Sequence, residues 1–121
     1  MSKRVLVVED TEDNRNIIRD LLTSAGYEMI EAVTGVEGIE MARAHVPDLI
    51  LMDMQMPVMD GYEATRQIKA DPALKHIPVI AVTSYAPSGD EAKTKAAGCD
   101  AYVAKPFSPR QLLAKVREFL G

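Results

Sequence analysis

Three short runs of unbroken apolar residues punctuate the chain: Val5-Leu6-Val7-Val8, Leu49-Ile50-Leu51-Met52 and Val79-Ile80-Ala81-Val82. Runs this short, without alternation, predict strands buried on both faces, as in the middle of a parallel sheet. Each ends in polar residues: Glu9-Asp10, Asp53 and Thr83-Ser84. Between the runs the period changes to that of a helix. Ile17, Ile18, Leu21, Leu22 and Ala25 predict a helix opened by the polar residues Thr11 to Asp13 and stopped by Gly26. Tyr27 to Ala32 is a more polar strand, suited to a position nearer an edge. Gly35 to Ala44 predicts a helix with Val36, Ile39 and Met41 turned inward, closed by Pro47. Within it Gly38 costs about 1 kcal/mol relative to Ala. Pro57 and Asp60-Gly61 mark a turn, and a helix from Tyr62 to Ala70 is broken by Asp71-Pro72. A polar helix over Asp90 to Ala97 stops at Gly98, and Cys99 to Ala104 holds a last short strand. After Lys105-Pro106, Ser108 or Pro109 opens a final helix striped with Leu112, Leu113, Val116, Phe119 and Leu120.

Strands alternating with helices imply an α/β fold with a parallel sheet covered on both faces. Five of each fit a doubly wound, flavodoxin-like (βα)5 arrangement with strand order 2-1-3-4-5. The 121 residues are read as one domain, 1–121. In that order the sheet reverses between strands one and three, and ligands bind where the order reverses, at the carboxyl ends of the strands. Those ends carry Glu9, Asp10, Asp53, Thr83 and Lys105.

Taken alone, each has an ordinary reading. Asp53 and Thr83 are equally caps for the next loop or helix, and Lys105 is equally a helix-flanking lysine. Taken together they are a chemical set. Clustered carboxylates repel, so a proton or a cation must neutralise them. Hard oxygen ligands with room for water suit Mg²⁺. Lys105 supplies a compact positive charge for a phosphoryl oxygen and Thr83 a hydroxyl. An ionised Asp53 can attack phosphorus to give an acyl phosphate.

This set resembles the receiver domains of two-component response regulators, the CheY-like family. The resemblance spans the whole chain. It rests on Val8-Glu9-Asp10, on Asp53 with Met56-Pro57-Val58-Met59-Asp60-Gly61, on Thr83, and on Lys105-Pro106. It implies that Asp53 accepts a phosphoryl group from a phosphohistidine on a histidine kinase or histidine phosphotransferase. It implies Mg²⁺ held by Glu9, Asp10, Asp53 and the backbone carbonyl of Gln55, with Glu9 acting through water. Thr83 and Lys105 would contact the phosphoryl group. Tyr102 matches an aromatic switch that turns inward as Thr83 moves, and the peptide before Pro106 is cis in many relatives. A downstream protein target would read the surface of helix four, strand five and helix five. Glu9 stands where Asp is also common, Gly38 stands where Ala is frequent and would loosen its helix, and Gln55 and Tyr85 occupy positions that tune acyl-phosphate hydrolysis.

Composition narrows the partners. A net charge of -4 gives no reason to expect direct nucleic-acid binding. No apolar run is long enough to span a membrane, and Val5 to Val8 is too short for a secretory signal, so a cytoplasmic location is expected. The single cysteine, Cys99, allows no internal disulfide and reads as a small core residue. Met52, Met54, Met56 and Met59 read as packing rather than as a soft-metal motif. His45 and His76 read as surface residues, and Lys93, Lys95, Lys115 and Arg117 as a solvated face.

Other classes of function fit less well. An aspartate-nucleophile phosphohydrolase needs a second Asp two residues after the nucleophile, where this chain has Gln55. An FMN carrier needs a hydroxyl-rich phosphate loop where Glu9-Asp10 stand. A degenerate receiver that only binds partners would not need the full set of acids, threonine and lysine. The expected function is a phosphorylation-controlled switch that catalyses only its own phosphorylation and dephosphorylation.

Overall fold

In a computed structural model, described over residues 2–56, 59–83 and 95–121, five parallel strands form one sheet. They are β1 (Arg4–Val8), β2 (Glu28–Ala32), β3 (Leu49–Asp53), β4 (Val79–Thr83) and β5 (Ala101–Ala104), in the order β2-β1-β3-β4-β5. The helices are α1 (Glu12–Ser24), α2 (Gly35–His45), α3 (Gly61–Ala70) and a C-terminal helix (Pro109–Leu120). The predicted helix over Asp90 to Ala97 lies outside the described residues, except that residues 95–97 are helical.

The apolar runs are central strands because side chains alternate between the two faces of a strand and both faces here are covered. Leu6, Val8, Ile50 and Met52 enter one core with Ile39, Ala42, Ala64 and Ile68 from α2 and α3. Val5, Val7, Leu49 and Leu51 enter the other with Ile18 and Leu22 of α1 and Leu112 and Val116 of the C-terminal helix. The outer strands β2 and β5 are only partly buried, as their more mixed sequences anticipate. Met52, Met54 and Met56 are core residues. Among the described residues no helix is long and apolar enough to cross a membrane.

Helix ends follow local chemistry. Gly26, at φ 89, ends α1 as expected. Asp60 accepts from the Glu63 N–H and starts α3 at Gly61, one residue earlier than predicted. Ser108 and Gln111 form a reciprocal capping box with Pro109 at the first helical position. Thr11 precedes α1, but its hydroxyl makes no capping bond.

One expectation for α2 needs correction, and its glycine has a packing role. Its buried stripe is Gly35, Gly38, Ile39 and Ala42, so Val36 falls off the stripe and is 46% exposed. Gly38, whatever it costs in helix propensity, lets the helix lie against β1. A Cβ on Gly38 would meet Val8 Cγ2 at 2.8 Å and Cγ1 at 3.1 Å. Val8 immediately precedes Glu9, so this contact fixes the strand end from which the acidic residues depart.

Gly38→Ala therefore sets a helix-propensity gain of about 1 kcal/mol against an overpacking cost of about 1–3 kcal/mol. The expected result in urea unfolding is a net loss of up to about 2 kcal/mol. A stabilised variant would show that α2 can move off β1 freely.

Candidate functional site

The carboxyl ends of β1 and β3 place their acids side by side because the two strands are direct neighbours, with Val8 opposite Met52. Glu9 and Asp53 are each 2% exposed, whereas Asp10 is exposed. One carboxylate oxygen from each of Glu9, Asp10 and Asp53 lies within 4.8 Å of the others. Lys105, just past β5, reaches across. Its Nζ stands 3.2 Å from Asp53 Oδ2 and 3.3 Å from Glu9 Oε1. Its reach is set by the backbone: the Lys105 N–H donates to the Thr83 carbonyl at 2.7 Å, extending the β4–β5 ladder by one bond. The Lys105-Pro106 peptide is cis.

Buried carboxylates need donors, and these have them. Asp53 Oδ1 accepts from the Gln55 N–H at 3.0 Å. Glu9 Oε2 accepts from the Thr11 N–H, and Glu9 Oε1 from Asn14 Nδ2 as well as from Lys105. Gln55 also donates from Nε2 to the Thr83 hydroxyl at 3.0 Å, which ties the loop after β3 to the end of β4. Gly61 sits directly against this loop. A Cβ there would strike the Asp53 carbonyl oxygen and approach the Met54 methyl to 2.6 Å. Gly61 is thus required by this close approach, while Pro57 of the predicted turn lies outside the described residues.

Glu9, Asp10, Asp53 and Lys105 come together in one cluster, and Thr83 is linked to it through the Gln55 side chain. Thr83 is fully buried beside it. Tyr102 lies outside it, half-buried, packing on the core face shared with α2 and α3. Tyr102 pairs with Ala81 across β4 and β5, so it and Thr83 project from the same face of the sheet. It lines a cleft of about 600 Å³ with Pro106, Gln111, Lys115 and Glu118. A second cleft, about 510 Å³, lies between α1 and the turn after β5, lined by Asn14, Ile17, Lys105, Pro106 and Phe107.

Sequence reasoning missed Asn14 and Arg15. Both stand in the first turns of α1 directly above Glu9, and the signal was their spacing of five and six residues from it. Tyr85 and Lys93 lie outside the described residues. The bland readings hold elsewhere: His45 and His76 are exposed, and Lys115 pairs with Glu118 at 3.1 Å.

The chemistry of the acids fits a hard divalent cation, since all the clustered donors are carboxylate oxygens. The model for the response regulator receiver domain matches residues 5–117. The chain is 46% identical over 121 residues to the polar-differentiation response regulators DivK of Brucella ovis and Brucella suis, covering 100% of this chain and 98% of theirs. A solved receiver domain of a sensor histidine kinase of Pseudomonas aeruginosa, with a magnesium ion coordinated in its active-site cleft, matches at TM-score 0.92 and 36% identity, over 100% of this chain and 99% of that one. The chemotaxis protein CheY4 of Vibrio cholerae matches at TM-score 0.93 and 29% identity, over 98% and 99% of the two chains. The chain belongs to the response regulator receiver family. It is a phosphorylation-controlled signalling switch.

Cys99 plays no part in the pocket. Burial pushes its thiol up from 9.0 to about 11, and its sulfur lies 3.9 Å from the Thr65 hydroxyl. At pH 8 only about one thiol in a thousand is then ionised. Iodoacetamide should leave the folded protein almost unmodified at pH 8 and alkylate it fully in urea. The unfolded chain loses this proton first, so the thiol's contribution to stability is constant below pH 9 and falls as pH rises from 9 to 11. Rapid alkylation of the folded protein would contradict the burial.

Proposed function

We propose that Asp53 is the phosphoryl acceptor and that Lys105 and Thr83 serve the transferred group. The observation that carries this is the single lysine ammonium shared between Asp53 and Glu9, with three carboxylates in one cluster. Asp53 Oδ2 attacks phosphorus in line. The P–N bond to the donor imidazole breaks as the acyl P–O bond forms, and the imidazole leaves with a proton. The Gln55 N–H on Oδ1 fixes the carboxylate plane. Lys105 leaves Asp53 for a phosphoryl oxygen, and the Thr83 hydroxyl donates to another. Phosphoryl transfer of this kind needs positioning and charge neutralisation above all.

Charge neutralisation is where one lysine falls short. Three carboxylates against one ammonium leave a net negative pocket facing a negative phosphoryl group. Mg²⁺ held by Glu9, Asp10, Asp53 and the backbone carbonyl of Gln55 would supply the missing positive charge. Glu9 acts through water, since Thr11, Asn14 and Lys105 already occupy its oxygens.

The donor is a phosphohistidine on a histidine kinase or histidine phosphotransferase. It docks over the cleft beside α1, where Ile17 is 50% exposed next to Phe107 and the reactive lysine. The readout is a downstream protein target on the face of helix four, β5 and the C-terminal helix, reached through Thr83 and Tyr102, with helix four outside the described residues before residue 95. Residues 1–121 act as one receiver domain, in the cytoplasm, with no direct nucleic-acid or membrane contact. The chain turns over no outside substrate and catalyses only its own phosphorylation and dephosphorylation.

Intact mass after incubation with acetyl phosphate tests the site. One Mg²⁺-dependent phosphoryl adduct is expected on the wild type and none on Asp53→Ala. An unchanged adduct on the variant would overturn the assignment. Docking is tested separately with Ile17→Glu. Labelling by acetyl phosphate should persist while transfer from a phosphohistidine partner falls roughly thirtyfold, as for loss of about 2 kcal/mol at an interface hot spot. Equal losses with both donors would place Ile17 in the chemistry rather than in docking.

A further inference from the structure

We infer that Arg15 is the positioning residue of the cation site, holding the peptide that joins Glu9 to Asp10. This rests on the reading of Glu9, Asp10 and Asp53 as the metal-binding acids. Arg15 lies in α1, and its side chain is only 14% exposed. Its Nη1 donates to the Glu9 carbonyl oxygen at 2.9 Å. Its Nε pairs with Glu31 Oε1 on β2 at 3.3 Å, and Arg19 pairs with the other oxygen of Glu31. One guanidinium thus ties together α1, β2 and the backbone just beyond β1.

The grip matters because of what leaves that peptide. The Glu9 carbonyl belongs to the same rigid plane as the Asp10 N–H, so fixing the oxygen fixes the direction in which the Asp10 Cα departs. On the other side, the Glu9 N–H donates to the Ala32 carbonyl at 3.0 Å. The Glu9 side chain has its own three donors. Asp10 lies beyond the strand and is exposed, so its position relative to Glu9 and Asp53 depends on the peptide before it. A planar guanidinium can reach a carbonyl and a carboxylate at once with fixed geometry, which a lysine ammonium on a flexible stem cannot.

Charge and position act in opposite directions at this residue. If Arg15 acted only as a positive charge near the acids, removing it would tighten Mg²⁺ binding. If it acted only in folding, removal would lower the melting temperature and leave the affinity of the folded protein unchanged. As a positioning residue, its removal must weaken binding.

Calorimetric Mg²⁺ titration of the whole chain decides between them. Arg15→Met should raise the Mg²⁺ dissociation constant roughly tenfold, the lower range for residues that orient metal ligands. Arg15→Lys should fall between, and Glu31→Gln, which spares the bond to the Glu9 carbonyl, should stay near wild type. In acetyl phosphate labelling, the Mg²⁺ needed for half-maximal rate should rise while the rate at saturating Mg²⁺ is retained. An unchanged or lowered dissociation constant in folded Arg15→Met would overturn the inference. Should that variant not fold, an unchanged constant in Arg15→Lys would do so. A wild type that binds no Mg²⁺, or Asp10→Asn binding it as tightly as wild type, would overturn the reading of the site itself.

Discussion

The ammonium of Lys105 between Glu9 and Asp53 is the interaction on which the rest of this molecule turns. Two carboxylates at 2% exposure are expensive to keep ionised, at several kcal/mol each before compensation. Without partners, buried charges of this kind would oppose folding. The chain instead surrounds them with backbone and amide donors and brings a single cation from another strand. That need imposes three features. β1 and β3 must be neighbours so that the acids meet. β5 must end in register with β4, so that the Thr83 carbonyl can hold the Lys105 backbone. The start of α3 must lie against the Asp53 carbonyl, which Gly61 permits because any Cβ there would clash. A sheet built to these constraints carries a cluster at its switch point with three carboxylates against one ammonium, and that imbalance is what the proposed cation and phosphoryl group would draw on.

Much of this was legible in the residues because burial and period are written locally. Val5–Val8, Leu49–Met52 and Val79–Val82 could only be covered on both faces, and their order along the chain, set between helices, gives the parallel sheet and its switch point. The polar residues ending those runs then had to share one end of the sheet. What could not be read is what depends on contact across sequence. Gly38 looks like a weak point in a helix until Val8 is found pressed against it. Val36 looks apolar and inward until the glycines are seen to form the buried stripe. Asn14 and Arg15 look like ordinary solvated residues of an amphipathic helix. Only the fold shows that the start of α1 lies over Glu9, where an amide and a guanidinium each find an acceptor.

The same geometry explains how a change at one oxygen can be felt at the surface. Gln55 couples the two strand ends directly, with its N–H on Asp53 and its amide on the Thr83 hydroxyl. A phosphoryl group on the proposed acceptor would draw Lys105 away from Asp53 and take the proton of the Thr83 hydroxyl, whose oxygen already accepts from Gln55. Thr83 and Tyr102 project from the same sheet face on neighbouring strands, and Tyr102 is half-buried at the edge of a cleft. The ring is only half-buried, so the inward rotation that the resemblance implies would change what that face offers a partner. A switch from one part in a hundred to ninety-nine needs about 5.5 kcal/mol of differential stabilisation. Charge-assisted bonds from a lysine and a threonine to a phosphoryl group, at about 1.5–3 kcal/mol each, reach that range together and not singly. On the proposed assignment the lysine and the hydroxyl would therefore have to act together, since either alone would leave a partially biased equilibrium.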